Sequence, residues 1–232
     1  IGFEHLQDRR TADRGVPSEA GRPLEGFDRT FFGDPGLSFA KANVDILNAA
    51  VQHELAQGLT VRNRTLLGDY GKFYQNVYPG GPVADGLVRL SAYNDTYERR
   101  NLFSQTDLIW DGRLGGIDQT LLFGFELGRQ KGRNQRRNGV FSSTSTGPSS
   151  IFVPVADPTV DVDVTFLANG LHNDIRASVG AVYVQDQVRP AEWLEIVAGL
   201  RFDRFSIDVD NRNNGQEFER TDNLWSPRLG LI

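Results

Sequence analysis

The chain has 232 residues, of which 30 are acidic and 25 basic, for a net charge of −5 and no Cys or Met. This balance argues against a dedicated nucleic-acid binder, whose phosphate contacts need a basic excess, and disulfide or thiolate chemistry is excluded outright. Hydrophobic residues make up 39%, and no run of about 18 apolar residues offers a helical membrane span; a barrel strand needs only about 9–11 residues, half of which can be polar.

The opening IGFEHLQDRR and the closing SPRLGLI both read as strand, and the chain is expected to be an internal piece of a longer protein. Residues 44–55 and 59–78 are predicted strands, joined by Ala56, Gln57 and Gly58 as a three-residue hairpin loop in which glycine supplies left-handed backbone. PGGPVADG (79–86) is a longer Pro/Gly-rich connector, and 87–110 is the next strand, meeting the strand at 117–130 through the short turn DGRLGG. The stretch 131–174, low in complexity around its Ser/Thr core, reads as the longest irregular connector. Strand 175–188 turns through Arg189, Pro190 and Ala191 into 192–209, and a polar loop beginning at Asn211 precedes NLWSPRLGLI.

Long and short connectors therefore alternate along the chain. That is the pattern of an up-and-down barrel, with tight turns on one side of the membrane and extended loops on the other. The predicted strands run to roughly 12–24 residues, against about 5–6 in a typical globular protein. About eight are expected, with no internal domain boundary. The fold class is all-β: part of an antiparallel, up-and-down transmembrane β-barrel.

Strand phase is consistent with this. In 117–130, Ile117, Leu121, Phe123, Phe125 and Leu127 alternate with Asp118, Thr120, Glu126 and Gln130, a period of two. In 87–110, Val88, Leu90, Ala92, Leu102, Leu108 and Trp110 lie opposite Arg89, Tyr93, Tyr97, Arg99, Gln105 and Asp107. Alternation alone equally fits a soluble sheet with one wet face. Trp110 and Trp193 sit beside short turns, where an interfacial aromatic girdle is expected, although Trp193 is out of phase with its strand.

Motifs for chemistry are sparse. His5, His53 and His172 are scattered, and Asp157, Asp161 and Asp163 read as solvated loop acids. The run from Asp208 fails as a calcium loop, because its fifth position is the cation Arg212 and its sixth is Asn213. No nucleophile elbow or phosphate-binding loop supports an enzyme. The basic run Arg129, Lys131, Arg133, Arg136 and Arg137 is read as a solvated loop suited to lipopolysaccharide phosphates or to attracting anionic ligands.

In order along the chain, FFGDPGLSFAKANVDILNAAVQHELAQGLTVRNRTLLGDYGKFYQNVYPG, NLFSQTDLIW, LLFGFELGRQ, VYVQDQV, VAGLRFDRFSID and SPRLGLI resemble successive strands of TonB-dependent siderophore receptors. The resemblance implies an outer-membrane barrel of about 22 strands whose lumen holds a plug. It further implies a ferric siderophore as ligand, import energised through TonB, and no resident cofactor or metal. Residues 1–232 would then be part of the barrel domain, without the plug. On the predicted lumen face, Tyr70, Tyr74, Tyr78, Tyr97 and Arg99 are candidate ligand contacts, and Arg62, Arg64, Glu126, Arg201 and Asp203 candidate plug contacts. The competing readings are a passive outer-membrane channel or adhesin barrel, and a soluble carbohydrate-binding β-sandwich.

Overall fold

The computed structural model describes residues 1–232. Eight long strands follow one another as an antiparallel meander: β1 (Gly2–Thr11), β4 (Phe39–Ala56), β5 (Leu59–Pro79), β6 (Leu87–Leu114), β7 (Ile117–Val140), β10 (His172–Ala191), β11 (Leu194–Asn211) and β12 (Glu217–Leu231). Short strands β2 (Ser18–Glu19), β3 (Arg22–Pro23), β8 (Ser150–Pro154) and β9 (Thr165–Leu167) belong to the connectors at one end. β1 and β12 are the two edges of this sheet, which is open.

The opposite end is closed by turns tighter than the sequence suggests. Two residues join β4 to β5 (Gln57, Gly58), β6 to β7 (Gly115, Gly116) and β10 to β11 (Glu192, Trp193). The three-residue loop expected at 56–58 is thus a two-residue turn, with a register shift between Glu54 and Ala56 taking up the extra residue. Gly115 and Gly116 have φ of 61° and 82°, the left-handed pair that matches the twist of flanking strands in a two-residue hairpin. Trp193 stands in its turn, 80% exposed, which removes its phase conflict: it belongs to neither strand face.

The largest correction concerns 131–174. β7 continues to Val140 because β6 and β10 supply hydrogen-bonding partners on both sides past residue 130, so polar side chains ride on a fully paired backbone. The basic run is therefore strand, not loop, and its charges divide between two faces. β8 folds back onto β6 and β9 onto β7, giving the remaining stretch structure of its own. The polar loop after β11 is likewise shorter than expected, with β12 beginning at Glu217.

No second sheet covers the apolar face. Phe123 is 51% and Leu127 60% exposed, so the alternation in β7 does not fill a sandwich core. Their neighbours in register on the same face include Leu108 on β6, Val182 and Val184 on β10, and Leu200 on β11, all exposed, and together they form an apolar band. Asn63 and Thr65 interrupt it on β5 but are satisfied locally: the Asn63 amide donates to Ser104 Oγ (3.1 Å) and Thr106 Oγ1 (2.8 Å), and the Thr65 hydroxyl to Asn63 Oδ1 (3.0 Å). Self-satisfaction of this kind is what an apolar solvent demands of a polar group.

A conventional core exists only in the loop-bearing end. Leu24, Phe32, Val77, Val83, Val88, Leu90, Ala92 and Val153 form a single buried cluster, drawn from β5, β6, β8 and the connectors 12–38 and 80–86. The 12–38 connector is laced to the one after β7: Gly33 N–H donates to Pro158 O (3.1 Å), Val160 N–H to Gly33 O (2.9 Å), and Thr159 Oγ1 to Phe31 O (2.7 Å). Asp34, 3% exposed, accepts the N–H groups of Gly36, Leu37 and Val162. Gly33 is placed where a side chain cannot go, with φ of +133° and a Cβ position that would collide with the Val77 carbonyl. Gly33→Ala is expected to loosen this cap at a cost of roughly 1–3 kcal/mol. Limited proteolysis checks this: cleavage within 12–38 should accelerate while the strand pattern in circular dichroism is unchanged.

Candidate functional site

The face opposite the apolar band carries charged and polar side chains toward both ends, separated by an apolar stretch that includes Leu66, Phe103 and Val179. Near the tight turns, register aligns Arg62 on β5, Asp107 on β6, Gly124 on β7, Tyr183 on β10 and Arg201 on β11. Asp107 is 2% exposed. It accepts from Arg62 Nη2 (3.0 Å), from Gln105 Nε2 (3.1 Å) and from the Tyr183 hydroxyl. Gly124 makes the last contact feasible: a Cβ there would strike the Tyr183 ring, so the bare backbone lets the phenol cross β7 to reach β6. Arg201 lies over the Tyr183 ring (5.3 Å) and donates to Glu126 (3.1 Å) and Asp203 (2.8 Å). Arg62, Glu126, Arg201 and Asp203 thus share the inward face, with their charges matched inside the wall. Arg64, between Ala50 and Gln105, is exposed and takes no part in the network.

Farther along, Arg99 lies directly opposite Tyr70 and stacks on its ring at 4.7 Å. Tyr97 faces Lys72 on one side and Asn134 on the other, half exposed, without joining the tyrosines beyond it.

At the loop-bearing end the inward side chains converge. Tyr93 packs against Tyr74 (ring centroids 6.0 Å) and edge-on against Tyr78 (5.4 Å). Arg136 from β7 lies over the Tyr93 ring at 4.2 Å while gripping Asp95 with two hydrogen bonds of 2.8 and 2.6 Å. Arg14, carried in by the 12–38 connector, donates to the Tyr93 hydroxyl (3.0 Å) and covers Tyr78 (5.1 Å). Asn76 is buried beneath, its amide donating to Tyr93 O (3.2 Å) and its Oδ1 without a partner. The hydrogen bonds that Arg136 donates to Asp95 hold its pKa above the ordinary value, so it stays a cation. Three phenols and two guanidiniums packed in one cluster suit contact with a bulky anionic or aromatic ligand, through ring contacts and charge-assisted hydrogen bonds.

Of the five candidate ligand residues, the structure gathers Tyr74 and Tyr78 into this cluster and leaves Tyr70, Tyr97 and Arg99 deeper along the wall. Sequence phase put Tyr93 on the right face, and Arg136 was visible only as a loop charge. Arg14 carried no signal, since it lies in a connector without period.

A wall of up-and-down strands, apolar outside and polar inside, tightly turned at one end and capped at the other, is that of an outer-membrane β-barrel. The family profile described as TonB dependent receptor-like, beta-barrel matches residues 2–232, and the chain belongs to that family, whose members are outer-membrane transporters and not enzymes. Two curated relatives, both metal-pseudopaline receptors CntO from strains of Pseudomonas aeruginosa, are 26% and 25% identical over all of this chain. The chain spans 33% of their length. Among solved structures, the siderophore receptor PiuA of Acinetobacter baumannii superposes with a TM-score of 0.83 at 18% identity, over 99% of this chain and 36% of that one. The ferric-catecholate import receptor Fiu of E. coli K12 gives 0.71 at 15%, over 99% and 37%. These likenesses reach both edges of the open sheet.

Proposed function

We propose that this chain forms part of the barrel wall and ligand mouth of a TonB-dependent importer of metal chelates, with a ferric siderophore as ligand. The observation that carries this reading is the cluster of Tyr74, Tyr78 and Tyr93 with Arg14 and Arg136 at the capped end of the inward face. The names of the relatives, siderophore receptors among the structures and metal-pseudopaline receptors among the sequences, point to the same chemical class: a metal already wrapped in an anionic organic chelator. Tyr97, and then Tyr70 with Arg99, line the path inward from the mouth. Arg64 is the plug contact of choice because its charge is not used by the wall, whereas Arg62, Glu126, Arg201 and Asp203 brace the wall against which a plug rests. No bond is made or broken in the ligand; binding shifts the plug, and TonB supplies the work.

The test is iron-limited growth of a strain deleted for the receptor and complemented with it, fed one purified chelate at a time. Receptor-dependent growth on a ferric siderophore is expected. Receptor-dependent accumulation of zinc or nickel from a loaded chelator, with no growth on any ferric siderophore, would reassign the ligand to a metallophore, and receptor-independent growth on all of them would sink the reading.

A further inference from the structure

β8 has two apolar faces, and the cap uses only one of them. In SIFVP, Val153 belongs to the buried cluster and Ile151 packs against it. Phe152 and Pro154 alternate with them and point away from that core, both exposed, Phe152 to 65%. In register they oppose Arg89 and Leu87 of β6, and Leu87 is itself 40% exposed. Leu87, Arg89, Ser91 and Tyr93 are alternate residues of one strand, so Phe152 and Pro154 stand on the inward face that carries the mouth cluster. Arg89 and Phe152 lie four residues beyond Tyr93 along β6, about 13 Å at the rise of an extended strand. The short side chains of Ser91 and Ser150, paired in register, lie between.

Arg89 restricts what can cover this patch. Its guanidinium lies on the bare backbone of Gly80 and Gly81, donates to the Gly80 carbonyl and forms no ion pair. An apolar loop closing over Phe152 would bury that cation without a counter-charge, which is costly. An anionic amphiphile meets both demands, with negative groups for Arg89 and hydrocarbon for Leu87, Phe152 and Pro154. An exposed apolar patch continuous with a binding site is a contact surface for the same ligand.

We propose, resting on the reading of the mouth cluster as the chelate site, that Leu87, Phe152 and Pro154 with Arg89 hold an acyl tail of the chelate, so that the imported siderophore is an amphiphile. Its head group lies on the tyrosines and guanidiniums of the cluster. Its tail runs outward over Ser91 and Ser150 to the Phe152 ring, and Arg89 offers its remaining donors to the anionic head.

The test uses the complete receptor in lipid nanodiscs, with empty nanodiscs subtracting the partitioning of the tail into lipid. Two ferric probes are titrated by quenching of tryptophan fluorescence: a citrate-based dihydroxamate carrying a dodecanoyl chain, and the same chelate carrying acetyl in its place. The dodecanoyl form is expected to bind at least about tenfold more tightly, since each buried methylene is worth about fourfold. L87S/F152S should bring the two affinities together, whereas R136A should weaken both forms and keep their ratio. Heat-modifiable mobility on gels verifies that each variant is folded. Equal affinities in the unsubstituted receptor overturn the proposal, as does an undiminished preference in L87S/F152S, the result expected if other loops of the receptor cover the patch. Binding of neither form overturns it as well, and the growth test above then decides separately whether chelate import stands.

Discussion

Asp107→Ala in the complete receptor is expected to destabilise the barrel by about 3 kcal/mol, the lower end of the range for breaking a buried ion pair, since Arg62 keeps 30% exposure. Three donors converge on this carboxylate from β5, β6 and β10, so its removal strands a cation, an amide and a phenol together. Asp107→Asn keeps the shape and an acceptor oxygen, and should lose about half as much. Gly124→Val reaches the same network without touching a charge, by driving the Tyr183 ring off β7. Denaturant unfolding followed by tryptophan fluorescence and gel mobility measures all three. An Asp107→Ala barrel that unfolds at the same denaturant concentration as the parent would show that the network contributes nothing to the wall.

Arg136→Ala is expected to raise the KM for uptake of the cognate chelate at least about tenfold, the loss of one charge-assisted contact, with the maximal rate preserved. Arg136 both caps the Tyr93 ring and presents a planar guanidinium, so Lys at this position keeps the charge but not the stacking and should fall between. Tyr93→Ala should give a similar KM, and the double variant less than the product of the two, because the side chains act as one unit. Uptake kinetics with radiolabelled metal chelate decide this. Wild-type KM in both single variants would remove the mouth cluster from ligand binding.

The alternation in β7 was legible because lipid and lumen impose opposite polarities on successive residues. Leu121, Phe123, Phe125 and Leu127 could be assigned to one face before any neighbour was known, and the alternation of long and short connectors then turned that face to lipid. The continuation of β7 past Gln130 was not legible, since outside the bilayer both faces meet water and a strand such as KGRNQRRNGV keeps no period; only pairing with β6 and β10 shows it. The mouth was half legible for a related reason. Tyr74 and Tyr78 lie on a periodic strand, whereas Arg14 arrives from a connector whose course is set by long-range contacts such as Gly33 with Pro158. The inward charges were legible as inward, but their partners were not. Arg201 meets Glu126 only because β10 lies between them carrying small Ala181, a fact of register.

The sole apolar core of this chain lies in its cap, and this bears on how the wall is put in place. Val77, Val88 and Leu90 gain nothing from one another while surrounded by acyl chains, because the hydrophobic effect requires water. Their association is favourable where they meet water, as the connectors do once they have emerged on the far side. Collapsed there, the cap makes retreat of the strands uphill, so it acts as a stop that holds the inserted wall in place.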